Sequence, residues 1–250
     1  MLNVWKVPAP LPGPGSDSEA EAQADVRRPR AEAARTYDRL SRFYDYTEGL
    51  FERRHQDIGL GELAAQPGEQ VLEIGYGTGR CLVAIARSVG PRGKVAGIDI
   101  SAGMCEVTRK RLRRKGLSER VDLRVGDAVQ LPFEDGSFDA IFSSFCLELF
   151  AAADVPNLLG ECRRVLRPGG RIVVVSMVST SHLGTVTRVY LWGHEHFPRF
   201  VDCRPIPLEK WLVRAGFRPD RVLRSGLFGL PVAVAKATLA TPQQPTKPAP

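Results

Sequence analysis

The segment Val71-Leu-Glu-Ile-Gly75-Tyr-Gly77-Thr-Gly79-Arg80 constrains this chain more than any other. A short apolar, β-branched run passes directly into three glycines spaced two apart. Such a run reads as a buried strand. The glycines let the backbone turn sharply and let a ligand lie directly on it. Helical spacing follows, with Leu82, Ile85, Ala86 and Val89 on one face, ended by Gly90 and Pro91. A strand, a glycine loop and a helix in this order put a binding loop at the carboxyl end of a strand.

The alternation continues down the chain. Strands are expected at Val71–Ile74, Val95–Ile98, Val121–Val125, Ala140–Phe145 and Arg171–Ser176, and two more at Arg221–Arg224 and Val232–Ala235. Ser101 caps a helix that runs to Gly116. Asp154 precedes another that reaches about Leu166 and is closed by Arg167-Pro-Gly-Gly170. Pro207 opens a third, with Leu208, Trp211, Leu212 and Ala215, stopped by Gly216. Strands separated by helices imply right-handed crossovers and a parallel sheet covered on both faces. Only Ser225–Pro231 separates the last two strands, so these pair antiparallel at one side. The fold class is therefore α/β: a doubly wound, mostly parallel, seven-stranded sheet with an antiparallel last strand.

Both ends lack the composition of a folded unit. Residues 1–34 are Pro/Ala-rich and residues 240–250 carry four prolines, so neither buries enough surface to offset its ordering entropy. They are expected to be disordered tails around one domain at 35–239. Five cysteines form no CxxC pair and read as free thiols in a reducing, cytoplasmic compartment. No Lys/Arg-led apolar segment opens the chain, which argues against a secretory signal. The longest charge-free stretch, Ile172 to Thr187, has 16 residues and is too short and polar to span a bilayer.

Ligands in such sheets bind outside the carboxyl ends of the strands. A dinucleotide loop wants GxGxxG, but Arg80 stands at the third glycine and Gly79 falls one residue early. Glu73 beside the loop repels a phosphate and suits an ammonium group. Asp99 ends the second strand, followed by Ile100, and its carboxylate can accept from both hydroxyls of a ribose. Gly126-Asp127-Ala128 follows the third strand, where Asp127 can accept from an adenine amino group and Ala128 leaves room for the base. The fourth strand ends at Ser144, beside the reacting end of a ligand so bound.

E-x-G-x-G-x-G, the Asp after the second strand, GDA…LPF-x-D-x-SFD and RVLRPGG together resemble the class I S-adenosylmethionine-dependent methyltransferases. Within them the likeness is to the ubiquinone/menaquinone C-methyltransferase group, over roughly Tyr37 to Lys236. The resemblance implies a Rossmann-like methyltransferase fold and S-adenosylmethionine as cofactor. It implies Gly75, Gly77, Thr78 and Gly79 around the methionine part with Glu73 as outer support, Asp99 and Ile100 at the ribose, Asp127 and Ala128 at the adenine, and Ser144 at the methyl end. Tyr37 or Tyr44 would close over the cofactor, as N-terminal tyrosines do in related enzymes. Two positions depart from the family's habit. Glu73 stands where Asp is usual, and Tyr76 stands where a small residue is usual, so its ring is expected to narrow the loop. Quinone methyltransferases also carry Arg-Asn soon after the fourth strand, whereas this chain has Phe145-Cys-Leu-Glu-Leu149.

Methyl transfer from a sulfonium is mainly a problem of alignment, which supplies roughly 7–11 kcal/mol in well-oriented reactions. A base, where the acceptor must lose a proton, adds about 10²–10⁴-fold. Candidates for it lie in the substrate-covering insert at 178–206: His182, Tyr190, His194, Glu195, His196, Asp202 and Arg204, with Tyr190, His194 and His196 foremost. His194 and His196 are two apart, and no H-E-x-x-H occurs, so no metal site is expected. Tyr37, Leu40, Tyr44, Thr47 and Phe51 recur at helical spacing and also read as a helix packed on the core.

A net charge of +7 comes partly from Arg109-Lys-Arg111-Leu-Arg113-Arg-Lys115. There Met104, Thr108 and Leu112 share one helix face, and Glu106, Arg109, Lys110, Arg113 and Arg114 share the other, which reads as solvated. Nucleic acid is disfavoured for want of interleaved aromatics. Peripheral contact with an anionic membrane stays open, as does the oligomeric state. The expected activity is methyl transfer to a small, apolar or lipid-like acceptor, such as a quinone-like ring or a phospholipid head group. A catalytically silent methyltransferase-like binding protein and an NAD(P)-dependent oxidoreductase are the alternatives.

Overall fold

The computed structural model describes residues 49–179, 205–227 and 229–239. Both expected tails lie outside these residues, as do Tyr37, Leu40, Tyr44, Thr47, the side chain of Phe51 and the candidate bases from His182 to Arg204.

Seven strands form one sheet: β1 (Gln70–Ile74), β2 (Lys94–Asp99), β3 (Val121–Val125), β4 (Phe138–Ser144), β5 (Leu166–Met177), β6 (Phe217–Leu227) and β7 (Leu230–Leu239). Their spatial order is β3-β2-β1-β4-β5-β7-β6. β1 to β5 pair in parallel. β7 returns between β5 and β6 and runs antiparallel to both. The chain thus adopts the doubly wound sheet with an antiparallel last strand that the alternation implies.

Among the described residues the α-helices are α1 (Gly49–Leu63), α2 (Arg80–Ser88), α3 (Ala102–Arg114), α4 (Val155–Val165) and α5 (Leu208–Arg214). Strands covered on both faces read as continuous apolar runs. Accordingly, alternate residues of the inner strands enter two separate cores. Val71, Phe142, Val173 and Val175 pack with Leu63, Leu82, Ile85 and Leu112 of α1, α2 and α3. Leu72, Ile74, Ile141 and Val174 pack with Leu158, Leu159 and Leu212 of α4 and α5. Burying each such side chain contributes roughly 1.5–3 kcal/mol.

Boundaries differ from the expected ones where charge or glycine breaks the apolar pattern. Arg167-Pro-Gly-Gly170 does not close α4 but begins β5. Arg167 bonds Gly136 O and Asp139, and a register shift accommodates the added residues. β6 extends beyond Arg221–Arg224 in both directions, because Arg218, Asp220 and Arg224 sit on an exposed edge and mask the alternation. On α3, Ser101 accepts from Met104 N at 3.0 Å as a cap, Met104, Thr108 and Leu112 are buried, and Arg109, Lys110, Arg113 and Arg114 are exposed.

Parallel strands end on one side of the sheet, so β1, β2, β3 and β4 deliver the glycine loop, Asp99, Asp127 and Ser144 to the same edge. The LPF loop between β3 and β4 is held by the last turns of α4. Glu161 Oε2 accepts from Leu131 N at 2.8 Å, and Arg164 donates to Leu131 O and Phe133 O. Asp139 joins the amino ends of β1 and β5, accepting from Gln70 N and Arg167.

Candidate functional site

The ladder between β1 and β2 runs into the loop through Gly75 N, which donates to Ile98 O at 2.8 Å. Gly75 has φ +71, and a Cβ on it would overlap Cys146 Sγ. Two further bonds then fix the Gly77 residue. Its N–H donates to Asp99 Oδ2 at 2.9 Å, and its carbonyl accepts from Thr108 Oγ1 at 2.7 Å. Gly77 has φ +49, and the place where a Cβ would stand has no atom within 4 Å. The loop is therefore packed from beneath and open above. Gly79 N donates to Tyr76 O at 2.8 Å and passes the chain into α2, with Thr108 occupying the space of its missing side chain.

Glu73, in β1 just before this loop, has 2% of its surface exposed. Its Oε2 and the hydroxyl of Ser144 are buried and find no hydrogen-bond partner among the described residues. Glu73 pairs with Phe142, so it and Ser144, two residues on, project from the same face of neighbouring strands. Leaving such a group unsatisfied costs about 1–3 kcal/mol. Burial first, and the charge of Asp99 second, push the Glu73 carboxyl well above its ordinary range.

Asp99 is half-buried at the tip of β2, accepting from Gly77 N on Oδ2 and from Ser101 N on Oδ1, each at 2.9 Å. After β3, Asp127 Oδ1 accepts from Val129 N at 3.1 Å and Ala128 is buried, while Ile100 after β2 and Thr78 in the glycine loop are half-buried.

Tyr76 departs from expectation. Its ring does not narrow the loop but turns into the core, 3% exposed, among Leu82, Met104 and Cys105. Gly97 on β2 leaves the space, since a Cβ there would stand 2.8 Å from the ring. The phenol donates to Arg124 O at 3.3 Å. Arg80, at the position where a dinucleotide loop wants glycine, begins α2 and holds α1 through Asp57 at 2.5 Å and Gln56 at 3.1 Å.

The β4 tip leaves the strand abruptly. Phe145 has φ +50 and donates its N–H to Val175 O at 2.8 Å. His55 of α1 stands edge-on to that ring at 6.2 Å and shares a 2.9 Å hydrogen bond with Ser225 of β6. Glu148, buried in the next turn, accepts from Ser176 Oγ at 2.9 Å and from Met177 N at 3.3 Å. Just beyond, Ser179 N donates to Ile206 O and Ile206 N to Met177 O, so the two ends of the 178–206 insert meet at the carboxyl end of β5.

Thr108, His55 and Glu148 carry no motif in the sequence that marks them for this region. A hydroxyl on the core face of a helix was a usable signal for the first. The other two gain their partners only through contacts distant in sequence. Among the described residues, no group of three His, Cys, Asp or Glu could hold a metal ion. Cys81, Cys105, Cys146 and Cys162 are free thiols.

Residues 71–170 match a family described as a methyltransferase domain. The chain is 34% identical over 142 residues to the demethylmenaquinone methyltransferase of Symbiobacterium thermophilum, covering 55% of this chain and 55% of that protein. It thus spans little more than half the length of that relative. Among solved structures, the cyclase SpnF superposes with a TM-score of 0.62 at 21% identity, covering 75% of this chain and 80% of that one. The geranyl diphosphate C-methyltransferase of Streptomyces coelicolor, crystallised with S-adenosyl-L-homocysteine, gives a TM-score of 0.64 at 16% identity, covering 76% and 79%. At these identities the structural likeness is one of fold.

Proposed function

We propose that this chain, whose residues 71–170 match a methyltransferase-domain family, is a class I methyltransferase that binds S-adenosylmethionine at the loop after β1 and transfers its methyl group to a small acceptor. One observation carries the reading. Two buried oxygens without partners, Glu73 Oε2 and Ser144 Oγ, flank a glycine loop whose middle residue opens on empty space. A ligand with an ammonium group and a thin, extended chain satisfies both oxygens and fits that space.

In this reading Glu73 supports the ammonium end, Gly75, Gly77, Thr78 and Gly79 cradle the methionine part, Asp99 and Ile100 hold the ribose, Asp127 and Ala128 hold the adenine, and Ser144 stands at the methyl end. When bound, the cofactor supplies a methyl group on a good leaving group. The chain's own residues then bind, orient and exclude water. Loop bonds already made to Asp99 and Thr108 lower the cost of that alignment. Tyr37 or Tyr44 closes over the cofactor, and a base, where one is used, comes from Tyr190, His194 or His196.

The acceptor is small and apolar or lipid-like, a quinone-like ring or a phospholipid head group. The demethylmenaquinone methyltransferase likeness supports the quinone side. Phe145 and Phe150 beside the β4 tip support an apolar partner. The proposed domain spans 35–239, and the enzyme works in the cytoplasm. Among the described residues no helix is long and apolar enough to cross a membrane.

The test has two parts. Calorimetry with S-adenosylhomocysteine is expected to show binding, and its absence would overturn the cofactor. Labelled S-adenosylmethionine offered with lipid, quinone, small-metabolite and RNA extracts is expected to label the lipid or quinone fraction. Label in RNA or in polar metabolites alone would overturn the acceptor class. Binding without any transfer would favour a silent cofactor-binding protein.

A further inference from the structure

We infer that Thr108 is a positioning residue, which from α3 sets the direction of the Gly77–Thr78 peptide that the cofactor meets. The inference rests on the cofactor reading above and adds to it a residue outside the loop itself.

Thr108 is fully buried in the middle of α3, where its side chain is a poor choice on local grounds. Threonine is a poorer helix-interior residue than alanine. A buried threonine in a helix commonly satisfies its hydroxyl on the carbonyl one turn back in the same helix. Thr108 instead donates to Gly77 O, 31 residues earlier, at 2.7 Å. Its methyl and hydroxyl also fill the space where a side chain at Gly79 would lie. One side chain thus touches the loop at both of its later glycines.

The consequence follows from peptide geometry. In a planar trans peptide the C=O and the next N–H point in opposite directions. With Gly77 O drawn towards α3, the Thr78 N–H is aimed away from α3. The preceding peptide is fixed as well, because Gly77 N–H is held by Asp99, whose other oxygen accepts from Ser101 N at the cap of the same helix. The loop is keyed to α3 at two points, so its amides are set before any ligand arrives. Preorganisation of this kind raises affinity by removing an ordering cost.

The experiment uses the full chain with Thr108→Val, which keeps shape and removes the hydroxyl, and Thr108→Ser, which keeps the hydroxyl and removes the methyl. Thr108→Ala replaces the valine variant should that one not fold. S-adenosylhomocysteine affinity by calorimetry is expected to fall about three- to tenfold in Thr108→Val, one neutral hydrogen bond's worth. It is expected to stay within about twofold of wild type in Thr108→Ser. The Thr78 amide resonance of the ligand-free chain is expected to move in the valine variant and return in the serine variant. Wild-type affinity in Thr108→Val, or equal losses in Val and Ser, would overturn the inference by reducing Thr108 to packing. If the wild type binds no S-adenosylhomocysteine, the cofactor reading fails, and an unmoved Thr78 amide in Thr108→Val shows separately that the positioning fails too.

Discussion

The carboxylate of Asp99 accepts the amide of Gly77 at 2.9 Å, so the tip of β2 holds the loop at the tip of β1. Neither residue is adjacent to the other in sequence, and the parallel pairing of the two strands alone brings them together. An acidic residue at this place therefore has two tasks, holding the loop and facing the ribose in the proposed complex.

Removing both tasks at once makes the first prediction. Asp99→Ala is expected to weaken S-adenosylhomocysteine binding by about 10- to 100-fold, since hydrogen bonds to a charged group carry about 1.5–3 kcal/mol. Asp99→Asn keeps an acceptor for Gly77 and is expected to lose less. Calorimetry that finds alanine and wild type equal removes Asp99 from the ligand.

Gly75 and Gly77 both have positive φ, yet the space around them differs. A methyl on Gly75 overlaps Cys146, while a methyl on Gly77 meets nothing. Gly75→Ala is expected to cost about 2–5 kcal/mol of stability, summing left-handed strain and overpacking. Gly77→Ala is expected to cost only the strain, about 1–2 kcal/mol, yet to abolish S-adenosylhomocysteine binding because its methyl stands in the ligand's space. Thermal unfolding and calorimetry on the two variants check the crossover. A Gly77→Ala chain that binds normally sinks the placement of the ligand above the loop.

Much of this was legible in the sequence for a physical reason. Strands buried on both faces, such as residues 140–142 of β4 and 172–175 of β5, leave unbroken apolar runs, and the Gly75–Gly79 loop has a composition that few other elements tolerate. What was not legible depends on contacts across the fold. Nothing in Tyr76 or its neighbours in sequence says that Gly97, on another strand, leaves a space for its ring. Thr108 read as one more core-facing residue of an amphipathic helix because its hydroxyl partner lies 31 residues away. The long β6 was hidden by the arginines that keep an exposed edge soluble.

The buried position of Tyr76 is itself testable. Tyr76→Phe removes a 3.3 Å hydrogen bond and is expected to change stability by about 1 kcal/mol or less and to leave S-adenosylhomocysteine affinity alone. Tyr76→Ala opens a cavity among Leu82, Met104 and Cys105 and is expected to cost about 3–5 kcal/mol. Denaturant unfolding measures both. A phenylalanine variant that binds markedly tighter or weaker would return the ring to the ligand side.

Glu73 gives the last prediction, and its sign can be worked through. Burial first and Asp99 second raise its carboxyl well above the ordinary value of 4.5. In the ligand-free chain the folded state therefore holds a proton that the unfolded state has lost, from about pH 4.5 up to the raised value. Stability from this group is complete below about pH 4.5 and is lost as pH rises through the raised value. Glu73→Gln cannot ionise, so its thermal midpoint is expected to fall less than that of wild type as pH rises through that window. An ammonium group bound against Glu73 reverses the balance by favouring the charged carboxylate. Binding of S-adenosylhomocysteine is then expected to release a proton, and affinity to rise with pH across the same window. Calorimetry in buffers of different ionisation heat reads that proton directly. Glu73→Gln is expected to bind more weakly, with neither proton release nor pH dependence from this site. Wild-type binding that takes up a proton, or that is indifferent to pH while the glutamine variant matches it, would remove the ammonium from Glu73 and leave the buried carboxyl without a ligand to serve.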